Sequence, residues 1–266
     1  MRIFEKHITG NGRRHFLFCG IKVVSLPRKK DPKISISEKV AGLDKCVIYT
    51  CITGMYDDLI QHSCTNTNCH YVCFTDNKKL LKHKKIGVWE IRPLVYDKLD
   101  NVRNNRWHKL HPHILFPEYP QSIYVDANID VINTKLFNDI NKLPKKCVLS
   151  IPIHFERDCI YDEIDACINQ KKDDMSKIKA TKRLLQKNNF PKHFGLSENN
   201  VIYRKHNDKT CIKLMNQWWN MLIKFSCRDQ LSFMYVLWRN KFKMPYLSKS
   251  PYRYDKINFR IRGHKQ

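Results

Sequence analysis

The 266-residue sequence has few glycines and prolines, few acidic residues and no long apolar run. Its 8 Gly and 11 Pro exclude a collagen-like chain or a flexible linker, and 42% apolar residues exclude a disordered one. The best apolar stretch, FLFCGIKVVSL at 16–26, is shorter than the roughly 20 residues that a membrane-spanning helix needs. It also lacks a signal-peptide cleavage site, so we expect a cytoplasmic protein.

The scarcity of acidic residues gives the chain a net charge of +24. Residues 1–33 carry nine basic and two acidic side chains and residues 239–266 carry nine and one, so the ends hold +15. A nucleic-acid-binding protein would spread basic and aromatic residues over a folded face, so no nucleic-acid partner is expected. Basic ends indicate peripheral contact with an anionic membrane surface, on the inner face of the cell membrane. The alternative is a lysine-rich composition that only favours solubility.

Eleven cysteines, most of them inside apolar runs, are typical of reduced, buried thiols in a reducing compartment. One cluster, Cys64-x4-Cys69-His70-x2-Cys73, leaves a zinc site as an alternative. Its spacing lacks the second close pair of ligands that structural zinc sites usually have. Reduced thiols are therefore the preferred interpretation.

From Lys45 onward, short apolar runs alternate with helical patterns. The runs are continuous rather than alternating, which is typical of strands buried on both faces of a largely parallel sheet. They lie at 46–52, 71–74, 86–91, 122–129 and 147–153. The helical patterns lie at 100–111, 134–142, 159–170, 173–188, 208–224 and 228–240. This predicts a single α/β domain at 45–240, between a basic segment 1–44 with a short hairpin-like stretch and a basic tail 241–266.

The most informative motif follows the run at 122–125, where the sequence reads Asp126-x-Asn128-x-Asp130. On an extended chain these side chains point to one side, beyond the carboxyl end of a strand, where ligands bind in α/β sheets. Oxygen ligands suit Mg²⁺ or Mn²⁺ bridging a diphosphate. An EF-hand loop is excluded because Val131 occupies its glycine position. A simple polar turn is the alternative.

Two further segments carry charged side chains. Arg103, Arg106 and Lys109 share a helix face that could bind a diphosphate or could be only a solvated basic face. In the third segment, Ser226-x-x-Asp229 has the spacing of a helix cap. Asp229 or the adjacent Gln230 could instead project into a sugar pocket, and the two roles are compatible.

In serial order, residues 45–240 resemble the TOD/MUCI-type glycosyltransferase-like family, in its bacterial surface-polysaccharide branch. The matching blocks are VIYTCITGMYDDL (47–59), FTD (74–76), WEI (89–91), R-x-x-R-x-x-K-L-x-P-H (103–113), SIYVDANIDV (122–131), HFER (154–157), YDE (161–163), G-L-x-E (195–198), WW (218–219) and RDQLSF (228–233).

The resemblance implies a GT-A-like, Rossmann-like fold and transfer of a sugar from a UDP-sugar to a glycan or lipid-linked acceptor, with a divalent metal. It implies donor-binding roles for Thr50, Tyr56, Asp76, Arg103, Arg106, Lys109 and Asp126. It implies sugar or acceptor contacts for His154, Arg157, Glu163, Gly195 and Glu198, and catalytic roles for Asp229 and Gln230. The implied metal ligands are Asp126, Asn128 and His264, where Asn128 departs from the usual Asp-x-Asp motif. The competing class is a non-catalytic basic protein that binds a membrane surface or RNA.

Overall fold

A computed structural model describes residues 43–248 and 250–264 in full, and before them the backbone of four strands. The chain divides into two compact units, Met1–Ser35 and Ile36–Gln266. The first unit contains an antiparallel sheet of three strands in the order β1-β2-β3. These are β1 (Phe4–Ile8), β2 (Arg14–Phe18) and β3 (Ile21–Leu26).

The second unit is built on a seven-stranded sheet in the order β12-β13-β10-β5-β7-β9-β8. Its strands are β5 (Cys46–Ile52), β7 (Cys69–Thr75), β8 (Lys85–Ile86), β9 (Trp89–Pro93), β10 (Gln121–Val125), β12 (Leu149–Ser150) and β13 (Val201–Arg204). The four central strands, β10, β5, β7 and β9, run parallel. Strand β13 pairs antiparallel to β10, β8 pairs antiparallel to β9, and β12 pairs antiparallel to β13. Two small ribbons complete the strands, β4 (Ile36–Glu38) with β6 (Cys64–Asn66) and β11 (Ile129–Val131) with β14 (Phe259–Ile261).

In the part of the chain that the structure describes, seven helices surround this sheet. They are α1 (Asn101–Leu110), α2 (Pro112–Leu115), α3 (Lys135–Asn141), α4 (Ile160–Asn169), α5 (Met175–Lys187), α6 (Lys209–Lys224) and α7 (Phe233–Arg239), with 3₁₀ turns at Leu80–Lys82 and Asp229–Leu231. Three of them begin at an aspartate, Asp100, Asp174 or Asp208, whose carboxylate accepts a bond from a first-turn amide. Among the described residues, no helix has the length and apolarity to cross a membrane.

The core lies on both faces of the sheet, which is why the strand sequences are continuously apolar. All seven residues of β5 are buried. On one face they pack with α1 and α4 to α7, and on the other with α3 and the segment around Tyr252 and Phe259. This mostly parallel sheet flanked by helices confirms the predicted α/β fold.

The structure differs from the sequence prediction at 122–129, where we expected one extended run. The strand ends at Val125, and the Ile129 amide bonds to the Asp126 carbonyl at 3.0 Å, closing a tight turn. Because the chain turns there, Asp126, Asn128 and Asp130 do not point to one side as we expected. Strand β13 was not predicted, since four residues give too short a pattern to detect.

Residues beyond 240, expected to form a basic tail, pack onto the second unit. Strand β14 pairs with β11, Leu247 and Tyr252 are buried, and the Tyr252 and Phe259 rings stack at 4.0 Å. At the other end, Ile36–Glu38 pairs with β6, so the compact unit begins before residue 45. Both flanks of residues 45–240 thus pair with the second unit through the two small ribbons, and not through the seven-stranded sheet.

His70, the histidine of the possible zinc cluster Cys64-x4-Cys69-His70-x2-Cys73, is hydrogen-bonded to other side chains. His70 lies between the Glu90 carboxylate, at 2.7 Å, and the Tyr119 hydroxyl, at 2.8 Å. Within the part of the chain that the structure describes, no three His, Cys, Asp or Glu side chains gather as a metal-binding group.

The two adjacent tryptophans of α6, Trp218 and Trp219, are buried to different extents, so we expect them to contribute unequally to stability. Trp218 is fully buried and its indole N–H donates to the Asp229 carbonyl at 3.1 Å, whereas Trp219 is only half-buried. We expect Trp218→Ala to lower the free energy of unfolding by about 3–5 kcal/mol. Trp219→Ala is the matched control and should lose clearly less in urea denaturation. Equal losses would contradict this account of the core.

Candidate active site

Four charged side chains meet at the end of β10. The Lys109 ammonium lies 2.8 Å from Oδ2 of Asp229 and 3.6 Å from Oδ1 of Asp126, and Arg106 Nε lies 3.4 Å from Asp229. Lys109 and Asp229 are almost completely buried, while the Asp126 carboxylate is 31% exposed. We call these four residues the ion cluster. The structure therefore brings together Arg106, Lys109, Asp126 and Asp229, which lie in three separate segments of the sequence.

The charge state of Asp229 is set by this cluster. Burial alone would raise the pKa of Asp229, but the charges of Arg106 and Lys109 outweigh it and hold the pKa well below its ordinary value. The carboxylate is therefore ionised at neutral pH and is a weak base. Two cations face two carboxylates, so the cluster as a whole is close to neutral.

The local fold explains why the Asp229 carboxylate points at Lys109 instead of capping a helix. Asp229 begins the 3₁₀ turn Asp229–Leu231, and no side-chain cap bond forms at the start of that turn. Ser226, the other member of the cap pattern, donates its hydroxyl to Asp173 at 2.6 Å. The Asp229 side chain therefore belongs to the ion cluster and makes no cap bond.

Two predicted site residues lie apart from the ion cluster. Arg103 is bonded to Asp100, the cap of its own helix, at 2.7 Å, and to the Leu222 carbonyl at 3.3 Å. Gln230 accepts a bond from the Arg228 guanidinium at 3.1 Å. The predicted cationic face of α1 is thus divided, because Arg103 pairs with Asp100 whereas Arg106 and Lys109 both contact Asp229.

The loop after β5 borders the cluster. Both carboxylate oxygens of Asp76 accept from the Gly54 amide, at 3.1 and 2.8 Å. Gly54 has φ +60°, and a Cβ there would collide with the Asn101 side chain, so only glycine fits this turn. Asp76 therefore shapes the loop that carries Tyr56. Thr50 and Asp126 line the same narrow crevice, and the buried Thr50 hydroxyl finds no hydrogen-bond partner among the described residues.

Tyr56 and Asp57 of this loop meet the far end of the chain. The His264 ring lies 4.5 Å from the exposed Tyr56 ring, and its Nδ1 is 2.9 Å from the Asp57 carboxylate. Burial raises the pKa of Asp57, partly offset by the bond to His264. The Asn128 amide nitrogen donates to the Arg262 carbonyl at 2.9 Å.

Asp126, Asn128 and His264 each keep a donor atom of a type that a divalent cation accepts. Asp126 offers a part-exposed carboxylate, and Asn128 keeps its amide oxygen because its nitrogen is bonded to Arg262. His264 keeps Nε2 because Nδ1 faces Asp57, an arrangement typical of metal-binding histidines. Carboxylate, amide oxygen and imidazole are a donor set that Mn²⁺ or Mg²⁺ accepts.

His154, Arg157 and Glu163 form a separate cluster. The Nδ1 of His154 accepts from the Glu156 and Arg157 amides at 3.2 and 3.0 Å, so the neutral ring carries its proton on Nε2. Burial lowers the pKa of His154 to about 4. Nε2 faces Glu163 at 3.8 Å, and Arg157 holds the same carboxylate at 2.9 Å. These bonds fix the segment after β12.

Glu198 differs from those neighbours because only one of its two carboxylate oxygens has a hydrogen-bond partner among the described residues. Oε1 accepts from Arg253 at 2.7 Å, while the buried Oε2 has no hydrogen-bond partner among the described residues. Burial raises the pKa of Glu198, and the charge of Asp126 raises it further against the lowering effect of Arg253. Gly195, with φ +102°, leaves room for the Tyr246 hydroxyl and so has a backbone role.

Asn200 is a site residue that sequence reasoning missed. The Asp126 amide donates to the Asn200 carbonyl at 2.8 Å, which continues the pairing of Val125 with Val201. The two side chains are therefore cross-strand neighbours on one face of the sheet. Both amide atoms of Asn200 are buried without a hydrogen-bond partner among the described residues. The only sequence signal is the Glu-Asn-Asn string at 198–200. It becomes informative only once β13 is known to pair with β10, because that pairing puts Asn200 beside Asp126.

Three solved glycosyltransferases are remotely similar in fold. Mouse xyloside xylosyltransferase 1 matches with a TM-score of 0.43 and 8% identity over 76% of this chain and 84% of its own. The bifunctional glycosyltransferase WbbM matches with a TM-score of 0.43 and 10% identity over 79% and 40%. GlyE of Streptococcus pneumoniae TIGR4 matches with a TM-score of 0.41 and 9% identity over 77% and 45%. No curated protein sequence matches significantly.

The family comparison covers most of the chain. The model of the TOD1/MUCI70 glycosyltransferase-like domain matches residues 17–251, a range that includes the whole ion cluster, Glu198 and Asn200. It agrees with the serial resemblance of the sequence blocks at 45–240. The chain belongs to the TOD1/MUCI70 glycosyltransferase-like family.

Proposed function

We propose that this glycosyltransferase-like protein moves a sugar from a UDP-sugar to a glycan or lipid-linked acceptor, with a divalent metal, Mn²⁺ or Mg²⁺, as cofactor. The observation that carries the proposal is the ion cluster. It combines a nearly buried, ionised Asp229 with a part-exposed Asp126 at the end of a parallel strand. In open α/β sheets this edge is where ligands bind.

The nucleotide would lie between Asp126 and the loop after β5. Tyr56 is 56% exposed, so its ring face can stack on a nucleobase. Thr50 lines the adjacent crevice with a hydroxyl that has no hydrogen-bond partner among the described residues, and Asp76 holds the loop through the Gly54 amide. Asp126, Asn128 and His264 would hold the cation. The chemistry that a bound divalent cation supplies is electrostatic, since it offsets the negative charge of a diphosphate.

Asp229 is proposed to stabilise charge at the reacting sugar. Its low pKa makes it a poor proton acceptor, but it keeps a fixed negative charge inside a largely water-excluded site. Such a charge favours the positive charge that develops at an anomeric carbon. Lys109 and Arg106 hold the carboxylate in place before substrate arrives.

Glu198 and Asn200 are proposed to contact sugar or acceptor hydroxyls. Glu198 has a raised pKa and an unpaired oxygen, so it is better suited than Asp229 to accept a proton. Two carboxylates whose environments shift their pKa values in opposite directions are typical of divided roles. The unpaired Asn200 amide offers one donor and one acceptor to a hydroxyl pair.

The first prediction tests Asp126 and the metal. Wild-type protein should gain about 5 °C in Tm with saturating UDP and Mn²⁺, and much less with UDP and EDTA. Asp126→Ala should abolish this difference and still fold, because Lys109 keeps Asp229 at 2.8 Å. Asp97→Ala, which removes an exposed carboxylate beside Lys98, is the control. An unchanged Mn²⁺-dependent gain in Asp126→Ala would refute the donor site.

The second prediction tests the charge of Asp229. Asp229→Asn keeps the shape of the side chain and should lower turnover about 100-fold at temperatures where the variant is folded. Because the pKa of Asp229 lies well below its ordinary value, the wild-type pH profile should show no loss from this group between about pH 5 and 8.

Ser226→Ala is the matched control for Asp229→Asn. It removes the hydroxyl bonded to Asp173 and should lower stability by about 1 kcal/mol without changing turnover. A folded Asp229→Asn enzyme with wild-type turnover would end the proposed role of Asp229.

The basic ends lead to a further proposal, that the protein is cytoplasmic and reaches its acceptor at an anionic membrane surface. Their charge of +15 supports it. Replacing Arg13, Arg14, Arg28, Lys29 and Lys30 by Gln should weaken co-sedimentation with anionic vesicles about tenfold or more, and added salt should have the same effect. Equal sedimentation of wild-type protein with neutral and anionic vesicles would contradict membrane contact.

A further inference from the structure

Asn128 replaces the second carboxylate of an Asp-x-Asp motif, and its surroundings explain the replacement. Its side chain is buried, and its amide nitrogen lies 2.9 Å from the Arg262 carbonyl oxygen. A carbonyl oxygen only accepts hydrogen bonds, so the group that faces it has to be a donor. An asparagine provides that donor and an ionised aspartate does not.

The same two residues are also joined through their main chains. The Arg262 amide donates to the Asn128 carbonyl at 2.8 Å. Strands β11 and β14 pair Ile129 with Ile261, so Asn128 and Arg262 form the next rung of this antiparallel ladder. We call this pair of bonds the Asn128–Arg262 clasp.

The segment beyond the clasp reaches the loop after β5. Only Gly263 separates Arg262 from His264, whose ring bonds to Asp57 at 2.9 Å and lies 4.5 Å from Tyr56. A Cβ at Gly263 would meet nothing within 4 Å, so packing at that residue does not fix the path of the chain. Besides the contacts of its own ring, the position of His264 is therefore restrained by the clasp, two residues before it.

We propose that Asn128 is a positioning residue, whose side-chain amide holds residues 262–264 so that His264 stays beside Asp57 and Tyr56. A carboxylate at this position would face the Arg262 carbonyl with a second acceptor, which loses one hydrogen bond and adds repulsion at a buried site. This inference deepens the proposed function, because Tyr56 and His264 belong to the proposed donor site. The clasp itself is measured without substrate.

The rest of the C-terminal strand has its own anchor, so the effect of Asn128 is local. Arg260 lies 3.7 Å from Asp130, whose buried carboxylate also accepts bonds from the Ser63 amide and hydroxyl. Losing the clasp should therefore release residues 262–264 and leave the pairing of β14 with β11 in place.

Amide hydrogen exchange of the full chain at pH 7 tests the clasp. In Asn128→Asp, the Arg262 amide, which is bonded to the Asn128 carbonyl, should exchange about tenfold faster than in wild type. Asn128→Ala removes the donor without adding charge and should give a smaller increase, which keeps the test valid if Asn128→Asp folds poorly. Unchanged exchange in both variants would overturn the proposal.

Asn133→Asp is the matched control. It adds the same charge five residues along the chain, but the Asn133 side chain acts through its oxygen, which accepts from the Lys135 amide at 3.0 Å. An aspartate keeps that bond, so exchange of the Arg262 amide should match wild type. Faster exchange in Asn133→Asp would mean that added charge alone releases the segment, and would overturn the proposal.

The UDP and Mn²⁺ melting experiment separates this inference from the proposed function. If Asn128 were only a weak metal ligand, Asn128→Asp would increase the Mn²⁺-dependent Tm gain with wild-type exchange, and the clasp would be refuted. If wild-type protein shows no Tm gain while Asn128→Asp speeds exchange, the donor site fails and the clasp stands. Faster exchange together with a reduced gain would support both.

Discussion

The buried ion pair between Lys109 and Asp229 determines how three elements meet. Lys109 belongs to α1 and Asp229 to the turn before α7, and their contact lies against Asp126 at the end of β10. Removing one partner of such a pair leaves a buried charge uncompensated, which destabilises by about 3–5 kcal/mol. The helices therefore cannot shift relative to the sheet without disturbing the site. Below Lys109, the buried Arg204 guanidinium donates to the Lys109 carbonyl at 2.7 Å and to the Tyr49 hydroxyl at 2.6 Å, which fixes the end of α1.

Around the ion cluster lie buried polar atoms that have no hydrogen-bond partner among the described residues. The Thr50 hydroxyl, Glu198 Oε2 and the Asn200 amide are buried without hydrogen-bond partners among the described residues. Each such group reduces stability, since burial removes its bonds to water. Their grouping near Asp126 is what a site for a hydroxyl-rich ligand requires, because ligand hydroxyls can supply the missing bonds. The polar groups of the neighbouring His154, Arg157 and Glu163 cluster bond to one another, which is typical of a structural role.

Periodicity and continuous apolar runs predicted the sheet and most helices, because these patterns follow from burial of whole faces. The predicted α6 stripe is an example: Met215, Trp218 and Leu222 are buried, while its other two members, Ile212 and Trp219, are half-buried. The sequence also indicated Asp126 and Asp229. It could not indicate that Lys109 joins them, since that contact spans 120 residues. It also missed Asn200 and Asp57, because β13 is short and the partner of Asp57, His264, lies 207 residues away. The sequence could not indicate where the Asn128 side chain points, because that depends on the turn at Asp126. Local composition does not distinguish such a turn from a strand that continues in extended form.

The pairing of β11 with β14 has a consequence for the order in which the molecule is completed during synthesis. Asn128 and Arg262 are separated by 134 positions, so the ribosome must add the whole of α3 to α7 before the two can meet. A nascent chain that already contains Asp126, Lys109 and Asp229 still lacks His264, so the contacts of His264 with Tyr56 and Asp57 form only after residue 264 has emerged.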